Sequence, residues 1–82
     1  MQAHRFEVNE NTTALTLQTL WANLLDIPVA DINPESDFFA LGGNSMLLLS
    51  LQATLEIEFG KGLTVQQLLT NTRFGNMLVL IR

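Results

Sequence analysis

The sequence predicts an all-α fold, a small four-helix bundle with three longer helices and one short helix. Apolar residues recur at spacings of three and four in several segments, as they do along the buried face of a helix. No segment shows the convincing alternation of apolar and polar residues that marks a half-buried strand. Apolar residues form 48% of the 82-residue chain and charged residues 15%, which is typical of one folded domain with a modest core.

The first predicted helix runs from about Thr13 to Leu25, and Thr12 or Thr13 is expected to cap it. Pro28 prevents this helix from simply continuing. Trp21 could stack on a ligand, but it lies on the apolar stripe of the helix, and a place in the core is the better interpretation. That stripe consists of Leu17, Leu20, Trp21 and Leu24.

The residues before this helix are polar and lack periodicity. Residues 1–11 are therefore predicted to form a flexible tail before a domain that spans residues 12–82. His4 lies in this tail and is interpreted as a solvated side chain. No apolar run approaches the length of a transmembrane helix, and the polar N-terminus does not have the form of a signal peptide. A cytoplasmic protein without membrane contact is expected.

A long connection covers residues 26–43 and contains two prolines. Connections of this length in small domains are usually functional or packed by their own side chains. The acidic residues Asp31, Glu35 and Asp37 are spaced irregularly, so turn-forming and capping roles are favoured over a metal site. The apolar residues expected to pack the connection are Ile27, Val29, Ile32, Phe38, Phe39 and Leu41.

The second predicted helix runs from Ser45 to Phe59, with Gly60 as its C-cap. Its core stripe consists of Leu48, Leu51, Leu55 and Phe59. A second apolar stripe lies on nearly the opposite side and consists of Met46, Leu49, Ala53 and Ile57. Either the helix is buried all round, or this second stripe is an exposed docking surface, since exposed apolar patches usually mark interaction sites. The docking surface is the favoured interpretation.

Two more helices are predicted to follow, of which the third is the short one. Thr64 is expected to cap the short third helix, and Thr72 is expected to cap the fourth. The apolar contacts of the third helix are Val65, Leu68 and Leu69. One face of the fourth helix carries Phe74, Met77, Leu78 and Ile81.

The net charge of −4 argues against a nucleic-acid partner, which demands clustered lysine and arginine. The basic residues are scattered along the chain: Arg5, Lys61, Arg73 and Arg82. An acidic surface suits solubility and basic protein partners.

The central motif is the segment from Asp37 to Met46, DFFALGGNSM. Its apolar residues can pin a loop to the core, while Gly42 and Gly43 permit tight turning and close approach. Ser45 suits the N-cap or the first turn of the second helix. Its hydroxyl would then stand at an exposed helix N-terminus, where unpaired N–H groups and the helix dipole favour a phosphate.

This segment resembles the phosphopantetheine attachment site of carrier proteins. It is most similar to that of the peptidyl carrier, or thiolation, domains of nonribosomal peptide synthetases, where the motif is roughly D-F-F-x-L-G-G-x-S-L. The resemblance extends from Trp21 through Phe59-Gly60 to Thr72. It implies the four-helix fold of the acyl carrier protein type. It also implies that Ser45, beside Gly43 and Asn44, carries a covalent 4′-phosphopantetheine arm from coenzyme A.

The resemblance further implies a monomeric carrier that is not itself an enzyme. A phosphopantetheinyl transferase would prime Ser45. The thiol of the arm would then hold aminoacyl, peptidyl or aryl groups as thioesters for adenylation, condensation or thioesterase partners. In similar proteins, partner enzymes use the exposed side of the second helix. The residues that this assigns to partner binding are Met46, Leu49, Ala53 and Ile57.

One position departs from the family pattern. Many relatives carry aspartate or histidine immediately before the serine, where this chain has Asn44. Asparagine keeps the shape and hydrogen-bonding capacity of aspartate but loses its charge. This difference bears on the choice of transferase and on its rate.

Intrinsic catalysis is not expected. A serine hydrolase needs a base beside its nucleophile, and the one histidine, His4, lies in the predicted tail. The chain also lacks a nucleophile elbow, a lysine after the glycine pair and a His/Cys metal cluster. Two alternatives remain. One is an acyl carrier of a polyketide or hybrid pathway, which the glycine pair disfavours. The other is an unmodified helical protein-interaction module.

Overall fold

A computed structural model of the chain describes residues 10–82. Its helices are α1 (Glu10–Leu25), α2 (Ser45–Phe59), α3 (Val65–Leu69) and α4 (Phe74–Ile81), with a 3₁₀ turn at Val29–Asp31. The predicted four-helix, all-α architecture is confirmed. Of the predicted tail, residues 1–9 lie outside the described part of the chain, so its extent stays a prediction. No helix among the described residues is long and apolar enough to span a membrane.

The start of α1 differs from the prediction. The helix begins at Glu10 rather than near Thr13, so the expected cap at Thr12 or Thr13 is wrong. Thr16 Oγ1 donates to the Thr12 carbonyl at 3.0 Å, which shows that the chain is already helical there. Thr13 is buried. Packing of α1 against the core therefore outweighs the local preference of threonine for a cap.

The other end of α1 lies where the sequence places it. Asp26 adopts the left-handed conformation with φ 57°, and Ile27 N–H donates to the Ala22 carbonyl at 3.1 Å, which closes the last turn. Gln18 Nε2 then donates to the Ile32 carbonyl at 2.9 Å and holds the connection along α1. The connection is thereby fixed to the bundle from its first residues.

The buried apolar residues in the described part of the chain form a cluster around Trp21. The indole ring makes edge-to-face contacts with Phe38 and Phe74, each at a centroid distance of 5.2 Å. Its N–H donates to Met77 Sδ at 3.4 Å. The buried members of the cluster are Leu17, Trp21, Ala22, Ile32, Phe38, Leu48, Leu51, Leu55, Leu68, Phe74, Met77 and Ile81. Trp21 is fully buried, so its interpretation as a core residue is confirmed.

The predicted stripes match this core closely, with three exceptions. Leu48, Leu51 and Leu55 are buried, and Phe59 packs against the cluster from its edge. Three residues expected to pack inward are instead exposed: Val29, Phe39 and Leu69. Phe39 and Leu69 each follow a fully buried apolar residue, Phe38 and Leu68, and only one residue of each pair is buried. Val29 lies in the 3₁₀ turn, which has no buried residue.

Helix ends are defined by local hydrogen bonds. Gly60 ends α2 with φ 68°, as predicted. Thr64 caps α3 through a capping box with Gln67, and this prediction is also confirmed. The predicted cap of α4 is wrong, because the helix is preceded by Arg73 without a side-chain cap.

Thr72 instead takes part in the pairing of two segments, residues 34–38 and residues 72–75, which we call the clamp. Phe38 N–H donates to the Thr72 carbonyl at 2.9 Å, and Phe74 N–H donates to the Ser36 carbonyl at 2.8 Å. Gly75 N–H donates to the Pro34 carbonyl at 2.9 Å. The clamp joins the long connection to the start of α4.

The Asp37 carboxylate is the polar centre of the clamp. The Thr72 hydroxyl donates to its Oδ1, and the N–H groups of Phe39 and Ala40 donate to its Oδ2 at 3.1 and 3.0 Å. The Thr72 hydroxyl first, then these N–H groups and the charge of Arg73, hold the pKa of Asp37 below its ordinary value of 3.8, against the opposing effect of burial. The predicted turn-forming role of Asp37 is confirmed, since residues 38–42 form a turn and not a helix.

Truncation of the core should destabilise the domain strongly. Leu51 is fully buried at the centre of α2. Leu51→Ala should cost about 2–5 kcal/mol of unfolding free energy, from the lost burial of the removed groups and from the cavity that they leave. A domain of this length has roughly 4–12 kcal/mol in all. Ile57→Ala is the matched control, because Ile57 is exposed, and it should change the free energy by about 0.5 kcal/mol or less. Equal denaturation midpoints for the two variants would contradict the burial of Leu51.

The clamp should make stability depend on pH through Asp37. Its folded-state pKa lies below the unfolded value, so its contribution is complete above the unfolded pKa and is lost as the pH falls through the folded pKa. Asp37→Asn should therefore melt below the wild type at pH 7, and the gap should close as the pH falls below 3.8.

The control for this pH profile is Glu35→Gln. Glu35 lies in the same connection and pairs with Arg73 at 3.2 Å, but both side chains are largely exposed. Such pairs contribute about 0–1 kcal/mol, so this variant should follow the wild-type melting curve across the pH range. A gap between Asp37→Asn and wild type that stays constant down to pH 2 would contradict the assignment.

The N-terminus of α2 as the candidate functional site

The turn before α2 brings the backbone directly over the Phe38 ring. Leu41 N–H donates to the Asp37 carbonyl at 3.0 Å, and Gly43 N–H donates to the Phe38 carbonyl at 2.9 Å. A Cβ on Gly43 would lie 2.5 Å from Phe38 Cδ2 and 2.7 Å from its carbonyl oxygen. Gly42 has φ 109°, which side chains rarely adopt. The two glycines thus have the predicted roles, Gly42 in turning and Gly43 in close approach.

Asn44 is the N-cap of α2. It is extended, with φ −148° and ψ −179°, and its Oδ1 accepts a hydrogen bond from Leu47 N–H at 2.9 Å. Its carbonyl accepts from Leu48 N–H at 2.9 Å. Ser45 is therefore the first helical residue, which is the second of the two placements that the sequence allowed. Asparagine and serine are similarly favoured at the N-cap, so N-cap preference alone does not predict which of Asn44 and Ser45 occupies it.

Ser45 is exposed at this helix end. Its hydroxyl makes no hydrogen bond with any described residue, and the same is true of the N–H groups of Asn44, Ser45 and Met46. The site therefore offers a free hydroxyl beside three unpaired N–H donors at the positive end of a helix dipole. These donors and the exposed serine fit a phosphate ester on Ser45.

The residues around Ser45 do not supply a base. The first turn of α2 contains no acidic residue, and the carboxylate of Asp37 is occupied by the hydrogen bonds of the clamp. The described part of the chain contains no histidine, and His4 lies outside it. Among the described residues, no side chain is therefore placed to act as a base on the Ser45 hydroxyl.

The second apolar stripe of α2 is exposed, as the docking interpretation requires. Met46, Leu49 and Ile57 are 78%, 50% and 81% exposed, and Ala53 is exposed as well. The alternative that α2 is buried all round is wrong for this face. Exposed Glu56 and Glu58 stand on either side of Ile57 in the sequence. The stripe begins directly beside Ser45 and continues along the helix.

A family model described as "Phosphopantetheine attachment site" matches residues 16–80. Among curated proteins, similar sequences occur in fungal synthetases. The chain is 38% identical over 65 residues to the trichosetin synthetase PKS-NRPS1 of Gibberella fujikuroi and 37% identical over 75 residues to the hybrid PKS-NRPS synthetase tasS of Hapsidospora irregularis. These matches cover 79% and 89% of this chain. The chain spans only about 2% of the length of either relative.

Two solved structures share the fold. A free-standing peptidyl carrier protein of Acinetobacter baumannii matches with a TM-score of 0.75 at 20% identity, over 85% of this chain and 88% of that one. The HMG-ACPI domain from the CurA module of Lyngbya majuscula matches with a TM-score of 0.81 at 18% identity, over 99% of this chain and 82% of that one. The family match covers the exposed serine, the turn before it and the clamp. This chain therefore belongs to the family of phosphopantetheine attachment domains, which are carrier domains that hold 4′-phosphopantetheine covalently.

Proposed function

We propose that Ser45 is the residue of this carrier domain that bears 4′-phosphopantetheine. The observation that carries the proposal is the exposed, unbonded Ser45 hydroxyl in the first turn of α2, directly after the turn formed by Gly42 and Gly43. Unpaired N–H groups and the positive end of the helix favour the phosphate of the arm at this position. The arm supplies a terminal thiol that holds cargo as a thioester.

The priming step needs a partner enzyme. A phosphopantetheinyl transferase removes the proton from Ser45 Oγ, which then attacks the pyrophosphate phosphorus that bears the pantetheine group of coenzyme A. The Oγ–P bond forms, the pyrophosphate P–O bond breaks, and adenosine 3′,5′-bisphosphate leaves with the electron pair. Since no base lies beside Ser45 among the described residues, the base belongs to the transferase. The chain contributes the acceptor and its presentation, and it has no catalytic activity of its own.

The motif and the relatives support two candidate cargo classes. The glycine pair before Asn44 supports a peptidyl or aryl carrier that works with adenylation, condensation or thioesterase domains in nonribosomal peptide biosynthesis. The names of the relatives specify hybrid PKS-NRPS synthetases, which supports the second candidate, an acyl carrier in a hybrid polyketide pathway. Both candidates use the same serine and the same arm, and in both the chain acts as a monomeric unit.

The exposed stripe of α2 is proposed as the surface that the transferase contacts. Any enzyme that reaches Ser45 Oγ must cover the adjacent surface, where Met46 and Leu49 are exposed. Leu49 lies four residues beyond Ser45, about 6 Å along the helix axis. Ile57 extends the same stripe between two glutamates, which supports a partner with basic residues at that end. Burial of such exposed apolar side chains by a partner contributes favourable binding free energy, because apolar surface is removed from water.

Priming should depend on Ser45 alone. Incubation of the 82-residue chain with coenzyme A and a transferase should add one phosphopantetheinyl group, and Ser45→Ala should abolish the added mass without loss of helicity. Intact-mass spectrometry measures the addition. Ser50→Ala is the matched control, since Ser50 is exposed on the same helix, and it should be primed fully.

Two outcomes would count against this assignment. Priming of folded Ser45→Ala would move the attachment to another residue. A wild-type chain that stays unmodified with several transferases would favour the unmodified interaction module. Loading of the primed chain by an adenylating enzyme, rather than by an acyltransferase, would separate the peptidyl from the acyl carrier.

The stripe should affect priming without affecting the fold. Leu49→Glu places a charge in the proposed contact, and we expect priming to slow about 10-fold or more, as for loss of a contact worth about 1.4 kcal/mol. Ile57→Glu should weaken partner binding in the same direction. Leu15→Glu is the control, because Leu15 is similarly exposed but lies on α1; it should be primed at the wild-type rate. The measurements are a melting curve and a priming time course on each variant.

Each result of this comparison bears on the stripe. Strong destabilisation by Leu49→Glu would show that this face is part of the core. Wild-type rates in folded Leu49→Glu and Ile57→Glu would show that the face is not used.

A further inference from the structure

In the side-chain amide of Asn44, the oxygen Oδ1 is hydrogen-bonded, whereas the nitrogen Nδ2 has no partner among the described residues. Oδ1 accepts from Leu47 N–H at 2.9 Å. Nδ2 donates to no residue in the described part of the chain. The Leu47 N–H can be satisfied only by the oxygen, so capping fixes which way the amide faces. A strong donor is thereby held at the end of α2, in the residue adjacent to Ser45.

The other groups at this helix end are also donors. The N–H groups of Asn44, Ser45 and Met46 lack partners among the described residues, and no acidic residue lies in the first turn. Aspartate at position 44 would accept the same bond from Leu47 N–H, but it would place a negative charge where this chain has a donor. The neutral cap therefore leaves the helix end entirely attractive to an anion.

We propose that Asn44 is a positioning residue that holds the phosphodiester on Ser45 through Nδ2. The proposal rests on the assignment of Ser45 as the attachment site. The amide donates to a phosphate oxygen while its oxygen continues to cap α2, and the free N–H groups of the first turn donate beside it. The phosphate thereby accepts hydrogen bonds from the unpaired donors at the N-terminus of α2. The primed chain is therefore more stable than the unprimed chain.

Asn44→Ser and Asn44→Asp separate this role from capping. Both substitutions keep an oxygen that can cap α2, since serine, asparagine and aspartate rank together at the N-cap. Both remove the Nδ2 donor, and aspartate adds a charge of the same sign as the phosphodiester. Asn33→Asp is the control for charge, because the exposed Asn33 accepts from Glu35 N–H in the connection and not at α2.

The experiment compares melting temperatures of unprimed and primed protein for each variant, at complete priming by intact mass. In wild type and Asn33→Asp, priming should raise the melting temperature by about 4–8 °C. Asn44→Ser should lose at least half of this gain. Asn44→Asp should lose nearly all of it, although its unprimed form should melt at or above wild type, because a carboxylate is favourable at a helix N-terminus.

A second readout observes the donor itself. In ¹⁵N-labelled protein, priming should shift the side-chain NH₂ resonances of Asn44 downfield, as expected when they donate to a phosphate oxygen. The NH₂ resonances of Asn33 should stay in place. Higher salt should reduce the thermal gain in wild type more than in Asn44→Ser, because the charged interaction is partly screened.

The outcomes distinguish this proposal from the one on which it rests. Complete priming with the same thermal gain in wild type, Asn44→Ser and Asn44→Asp, and with unshifted Asn44 NH₂ resonances, would overturn the role of Asn44 and leave Ser45 as the attachment site. An unprimed wild type, or priming of Ser45→Ala, would overturn both.

Discussion

The contact between the Phe38 ring and the backbone of Gly43 is the constraint on which the site depends. A Cβ at residue 43 would overlap the ring and the carbonyl of Phe38, each at less than 3 Å. Phe38 is itself fully buried against Trp21. The N-terminus of α2 is thus positioned by direct contact with the centre of the core, and the exposed serine lies only two residues from a rigidly packed backbone.

The clamp supplies the second support for this turn. It pairs the connection with the residues at the start of α4. The carboxylate of Asp37 accepts hydrogen bonds from N–H groups of the connection and from the Thr72 hydroxyl. Phe38 and Phe74, whose N–H groups donate within the clamp, both contact Trp21 edge to face. A connection of eighteen residues, 26–43, would cost much conformational entropy if it were held only at its ends. The clamp and the Gln18 contact divide that length into short, fixed spans.

The periodic features of the chain were predictable, and the features set by tertiary contact were not. The stripes of α2 follow from helical spacing, and both faces have the burial that the spacing indicates. Local propensity favours Thr72 as a helix cap. Its hydroxyl instead donates a hydrogen bond to Asp37, thirty-five residues earlier in the chain. Thr13 was misplaced for a similar reason, since its burial against the core overrides its capping preference. At the site, the glycine pair predicted the turn. The capping role of Asn44 could not be predicted in the same way, because it depends on the exact residue at which α2 begins.

The position of the single tryptophan has a spectroscopic consequence. The chain contains no tyrosine, so emission excited at the red edge of protein absorption comes from Trp21 alone. The indole is fully buried and touches Phe38, Phe74 and Met77. Its fluorescence therefore reports the integrity of the junction between the connection and α4. None of these contacts involves the exposed face of α2, so a change in Trp21 emission is a test for loss of the fold in variants of that face.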